Sequence, residues 1–339
     1  MTVTCTQHLC HSDCVDHMSK IQNSAISKEN DVHDSLQNEN MINSESVNFV
    51  EGIALRKNQV VTITAEFLSK DNFEILDKKG RNILQYCNGI GNKWFFNQVR
   101  DCVDKSTYIQ KKNEKRNKNN KRTINHNEKI EEGNPIDRDN IIIGDFILPL
   151  KDYLFRHDQG SFWMASYRIP QMIGKYMGRL LDSTNMFRLA TALPWAFPKN
   201  TIVLQDFILP KNNVKEFFHC MEEQLDVWPV WLLPMRNIPA EGSLFASPKG
   251  LAGEHLCNVG AYGIPKKKYD FTVANKKLEE LLHKHNGRKV YYSHAFYSKD
   301  FFYNVLYDGL KYFQLRDKYC RDKALPEIFD KIITQNGKL

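Results

Sequence analysis

Residues 201–296 constrain the fold more than any other part of this 339-residue chain, because two hydrophobic periods alternate there in a fixed order. Residues 201–209 are rich in β-branched and aromatic side chains and stop at Pro210, which predicts a strand. Asn212 or Asn213 then caps a helix whose apolar residues fall at Val214, Phe217, Phe218, Met221 and Leu225. Residues 229–233 return as a strand, and after a Gly/Ser/Pro loop residues 255–262 make another. Ala274, Leu278, Leu281, Leu282 and His285 mark a second helix ended by Gly287, and residues 289–296 close the unit. The order βαββαβ is the split, ferredoxin-like arrangement, so the expected class is α+β: a mainly antiparallel sheet with helices on one face. That scaffold hosts many functions and fixes none.

The remaining chain reads less regularly. Residues 1–45 are mostly polar and are expected to be a disordered tail. Cys5, His8, Cys10, His11, Cys14 and His17 crowd into it, yet no second spaced pair answers them, so no metal site is expected. Residues 47–55 and 60–67 form a hairpin, and an aromatic helix follows from Lys93. Residues 108–140 are a Lys/Asn/Glu tract with no apolar period, expected to be a basic disordered insertion. The net charge of +7 is local, since residues 111–122 alone contribute +6. Tyr108 is the one aromatic near that tract to stack a base, so nucleic acid is not an expected partner. Residues 189–197 are apolar and uncharged up to Phe197, and are expected to be a core helix rather than an edge dipped into a membrane surface. No run is long enough to cross a bilayer, the first residues lack a signal-peptide pattern, and scattered cysteines favour a reducing compartment.

Several runs stand out in order: Val50 to Ile53 with its hairpin, Asn88 to Asn92, Trp94 to Phe96, Arg156-His157, Phe162-Trp163 and Val203 to Asp206. Trp228 to Leu232, Pro248 to Gly250, Val259 to Gly263, Leu315 to Tyr319 and Ala324 to Lys331 complete the set. Taken together, they resemble the C-terminal half of the Delta(24)-sterol reductases, Diminuto-type flavoproteins of the vanillyl-alcohol-oxidase superfamily. The resemblance implies a substrate-cap domain over residues 141–339 and a remnant of FAD-domain strands with a linker helix over 46–107. It implies FAD as cofactor, NADPH as reductant and reduction of the Δ24 double bond of a sterol side chain, with family members at the endoplasmic-reticulum membrane. It also implies that the FAD-binding domain preceding Val47 in the family is largely absent, so that FAD binding needs a separate polypeptide and the chain alone is cytoplasmic or peripheral. The competing expectation is a non-catalytic sterol-binding or interaction protein using the same cap.

The polar residues set among aromatics become the site candidates. Arg156 and His157 are the catalytic pair: the imidazole donates a proton or the guanidinium stabilises negative charge on a reduced flavin, unless Arg156 merely pairs with a carboxylate such as Asp152 and His157 fills a core hydrogen bond. Trp163, Gln205, Asp206, Tyr262, Tyr292 and His294 are candidates to face substrate or flavin. Gln205 and Asp206 interrupt an apolar strand and need partners there, or mark a solvated edge. Tyr262 sits between Gly260 and Gly263, while Tyr292 and His294 alternate onto one face of the last strand.

Overall fold

The computed structural model describes residues 1–8, 11–34, 47–78, 93–107, 141–167, 169, 170, 173, 176–193, 202–236, 255–266, 270–320 and 324–333. They fall into two compact units, Met1–Leu193 and Pro194–Leu339, each with an antiparallel sheet and helices, which makes the chain α+β.

In the first unit the strands are β1 (Thr2–His8), β2 (Phe49–Arg56), β3 (Gln59–Glu66) and β4 (Ile141–Ile147), in the order β4-β1-β3-β2. Helix α1 (His11–Asp34) follows β1, α2 (Lys70–Lys78) follows β3, and α3 covers 95–107. The expected hairpin is present, with Phe49 opposite Ala65 and Ile53 opposite Val61. The disordered tail expected for residues 1–45 is not what forms over the described residues 1–8 and 11–34. β1 pairs with β3 on one side and β4 on the other, and Val3 and Cys5 are fully buried. Few apolar residues suffice because β-branched threonines favour the strand and cysteines fill apolar positions. Cys14, Val15 and Met18 of α1 are buried at helical spacing, and His8, Cys14 and Thr62 satisfy one another by hydrogen bonds.

The expected boundary at residue 141 also moves. β4 pairs with β1, Thr2 opposite Ile147, so residues 141–193 belong to the first unit. Residues 108–140, and the 88–92 run, lie outside the described residues. The core of this unit is aromatic: Phe95 packs on Phe146 at 6.2 Å between centroids and Phe96 on Trp163 at 5.2 Å. After β4 come α4 (Leu150–Leu154) and α5 (Ser183–Ala192), the latter capped by Asp182, whose carboxylate accepts from the Asn185 amide. The core-helix reading fails over its described part, for α5 buries none of its residues and Phe187 is 75% exposed. Residues 194–197 lie outside the described residues. Among the described residues, no helix is long and apolar enough to cross a membrane.

The second unit carries β5 (Val203–Pro210), α6 (Val214–Gln224), β6 (Val230–Arg236), β7 (His255–Gly263), α7 (Phe271–Lys284) and β8 (Arg288–Lys289). Its sheet order, β6-β7-β5-β8 with every pairing antiparallel, is the ferredoxin-like one that the sequence pattern predicts. Odd-numbered β5 residues face the helices, as Phe207 does against Phe217 at 5.0 Å. α6 buries Val214, Phe217, Phe218 and Met221, and α7 buries Ala274, Leu278 and Leu282. The last strand is shorter than the expected 289–296. Beyond Lys289 and the bond from the Val290 amide to the Asp206 carbonyl, the Glu279 carboxylate takes a ladder partner's place by accepting from the Phe296 amide. A helical turn (Lys299–Phe301), a π-turn (Phe302–Leu306), α8 (Gly309–Tyr319) and α9 (Ile328–Ile332) follow around a Phe302, Tyr303 and Leu306 core.

Candidate functional site

In the first unit, Glu51 stands in an otherwise apolar strand and is fully buried. A buried carboxylate needs partners, and α4 delivers them at its C-terminal exit. Arg156 Nε donates to Glu51 Oε1 at 2.7 Å, and its Nη1 donates to the Tyr153 carbonyl at 2.9 Å. The guanidinium also lies 4.2 Å from the Tyr153 ring centroid, a cation–π contact. His157 Nε2 sits 2.9 Å from Glu51 Oε2, so one carboxylate holds both side chains. The imidazole stacks on Phe162 at 4.3 Å and meets the edge of Phe95 at 5.6 Å.

The turn that brings Phe162 there is strained. Gly160, Ser161 and Phe162 have φ of 75°, 48° and 63°, a left-handed run that non-glycine residues rarely adopt. At Gly160 a Cβ would come within 2.7 Å of the Trp94 indole, so the close approach as well as the φ requires glycine. Burial pushes the Glu51 carboxyl up, but the charges of His157 and Arg156 and their hydrogen bonds outweigh it and hold Glu51 well below the usual carboxylate range. The alternative that Arg156 pairs with a carboxylate and His157 fills a hydrogen bond describes these contacts as well, with Glu51 as the carboxylate. Glu51 was not a candidate from sequence, although the signal was available: a lone acid in an apolar strand, the same cue that singles out Asp206. Both side chains keep some exposure, 15% for Arg156 and 13% for His157.

In the second unit, Gln205 and Asp206 point to opposite faces of β5. Gln205 donates to Asn275 on the helix side. Asp206, on the other face, accepts from three donors: Asn258 Nδ2 at 2.8 Å, Tyr262 hydroxyl at 2.7 Å and Tyr292 hydroxyl at 2.7 Å. Gly260 lies opposite Asp206 in the ladder, and a Cβ there would sit 2.7 Å from the Tyr262 hydroxyl oxygen and 2.8 Å from Asp206 Oδ1. Burial first, and then the Asp206 charge, pushes the phenols of Tyr262 and Tyr292 upward. Thus Asp206, Tyr262 and Tyr292 come together, with Asn258 as a partner the sequence did not flag. His294 does not join them. It packs edge-on against Phe271 at 4.7 Å, because the strand that was expected to align it with Tyr292 has already ended. Trp163 is fully buried against Phe96 and Phe162 and fills the core of the first unit rather than facing a ligand.

Among the described residues no group of three His, Cys, Asp or Glu side chains is placed to hold a metal ion. The donor set fits one end of a flavin. Arg156 and His157 suit the negative charge that collects at a reduced ring system, whereas the sequence has no glycine-rich fingerprint for the pyrophosphate end.

No protein-family model matches the chain. It is 27% identical over 192 residues to the Delta(24)-sterol reductase of Homo sapiens, which covers 55% of this chain and 37% of that protein. It is 24% identical over 306 residues to the Delta(24)-sterol reductase homolog dhcr-24 of Caenorhabditis elegans, covering 86% of this chain and 48% of the relative. The Delta(24)-sterol reductase of Arabidopsis thaliana is 20% identical over 302 residues, covering 81% of this chain and 46% of the relative. The match therefore spans less than half the length of each of these relatives.

Proposed function

We propose that the chain is the substrate-cap portion of a Delta(24)-sterol reductase-type flavoprotein. When bound, FAD reduced by NADPH supplies the hydride for the side-chain double bond of a sterol; the FAD-binding portion lies on this polypeptide or on another. The observation that carries the reading is the Glu51 clamp, which holds the Arg156 guanidinium and the His157 imidazole side by side, partly exposed, inside an aromatic wall.

The chain's own residues divide the work. Arg156, locked by Glu51 and the Tyr153 carbonyl, holds positive charge at a fixed place beside the reacting centre. His157, oriented by Glu51 through Nε2 and by the Phe162 ring, is the group that donates the proton to the carbon next to the one that receives hydride. Phe95, Tyr153 and Phe162 keep water away from both.

The test combines the full chain with the FAD-binding polypeptide of a reductase of this type, FAD, NADPH and a Δ24 sterol, following the saturated product by mass spectrometry. His157→Gln keeps a hydrogen bond to Glu51 and loses the acid, so turnover should fall by about 10²–10⁴-fold with sterol affinity unchanged. A preparation that neither binds the sterol nor reduces it sinks the proposal.

A further inference from the structure

The face of the second unit's sheet opposite α6 and α7 is largely apolar over β5, β6 and β7, with Arg288 of β8 at its edge opposite Ile208. Leu204, Asp206 and Ile208 of β5 lie on it by the pleat, in register with Tyr262, Gly260 and Asn258 of β7. Trp231 and Leu233 of β6 continue it opposite Gly260 and Asn258. Asp206, Asn258 and Tyr262 form the exception, each less than a tenth exposed, and Tyr292 leans over them with 56% of its surface open.

The hydrogen bonds of this cluster decide what it can still do. A carboxylate offers no proton, so the Asn258 amide must turn its NH₂ toward Asp206, which fixes the orientation of the side chain. Its Oδ1 then points away from Asp206, is buried, and has no hydrogen-bond partner among the described residues. One proton of the Asn258 amide and the protons of both phenols go to Asp206, and the buried polar atom of the cluster left without a hydrogen-bond partner is the Asn258 acceptor. A buried acceptor left empty is destabilising, and a ligand donor would offset that penalty. The Asp206 charge disfavours a carboxylate or phosphate, and an ether or ketone has no proton to give.

We infer that the Asp206–Asn258–Tyr262–Tyr292 cluster recognises the alcohol group of an otherwise apolar ligand, the ligand hydroxyl donating to Asn258 Oδ1. Resting on the sterol reading above, the assignment makes this the anchor for the 3-hydroxyl at the ring end of the sterol. Tyr292, the exposed member, is the side chain over which the ligand enters.

The test compares a 3β-hydroxy Δ24 sterol with its 3-O-methyl ether, titrated against the full chain by tryptophan fluorescence. The alcohol should bind about tenfold tighter, the worth of one buried hydrogen bond. Asn258→Leu should bring the two ligands within about twofold of each other, and Tyr292→Phe, which leaves Oδ1 in place, should keep the preference. Equal binding of both sterols to the wild type overturns this assignment alone, without any variant. A preference that survives in Asn258→Leu, or that disappears in Tyr292→Phe, also overturns it. Binding of neither sterol overturns the sterol reading and the assignment with it.

Discussion

At the scale of single residues, Glu51 is fully buried while the two cations it holds reach the surface, and that asymmetry sets what its loss costs. Removing one member of a buried ion pair costs roughly 3–5 kcal/mol, and partial exposure of Arg156 and His157 places Glu51→Gln near about 3 kcal/mol. The pH dependence has a definite sign. The folded carboxyl lies below its ordinary value of 4.5, so its contribution is complete above that pH and is lost as pH falls toward the folded value. Urea unfolding between neutral pH and about pH 3 should therefore show a steeper acid limb for wild type than for Glu51→Gln. Superimposable limbs would mean that Glu51 is not the depressed carboxylate. The same residues show what a sequence reveals of a site. Arg156, His157 and Asp206 were legible because charge among aromatics, or within an apolar strand, needs a partner. Glu51 and Asn258 obey the same rule and were passed over, since nothing local says that Glu51 will meet side chains more than a hundred positions away.

At the scale of elements, legibility tracked how much of the folding information was local. The βαββαβ order and the 49–66 hairpin carry their own periods and turns, and both form. β1 has few apolar residues and owes its existence to two neighbours far along the chain, β3 and β4, so no local pattern marks it. β8 failed in the opposite direction: residues 290–296 look like strand, yet Glu279 draws the Phe296 amide away from a ladder. The packing of β4 against α3 gives a prediction at this scale. A Cβ on Gly144 would lie 2.5 Å from Cys102 Sγ and 3.1 Å from Cys102 Cβ. Gly144→Ala should destabilise by about 1–3 kcal/mol through overpacking. Placing it in a Cys102→Ala background removes the nearer clash and should recover at least half of that loss, read as a double-mutant cycle in denaturant. Strict additivity of the two substitutions would show that the helix and strand do not meet there.

For the whole molecule, the proposed cofactor contacts and the proposed sterol anchor make separate demands. Flavin dinucleotides are held largely through backbone amides and helix N-termini at their phosphates, as the dinucleotide fingerprints illustrate. Arg156 and His157, the side chains proposed to meet the flavin, address its ring end. The proposed sterol anchor draws its residues, Asp206, Asn258, Tyr262 and Tyr292, from the second unit alone. Cofactor and sterol binding should therefore separate. Full chain mixed with excess FAD and passed through gel filtration should emerge with little flavin absorbance, while retaining the preference for a hydroxylated sterol. Added FAD-binding polypeptide from a reductase of this type should restore both the flavin spectrum and turnover. Near-stoichiometric flavin retained by the chain alone would show instead that the cap holds the cofactor through contacts other than a phosphate cradle. The division of labour proposed here would then be wrong, and the Arg156–His157 pair would be the first place to look for the binding energy.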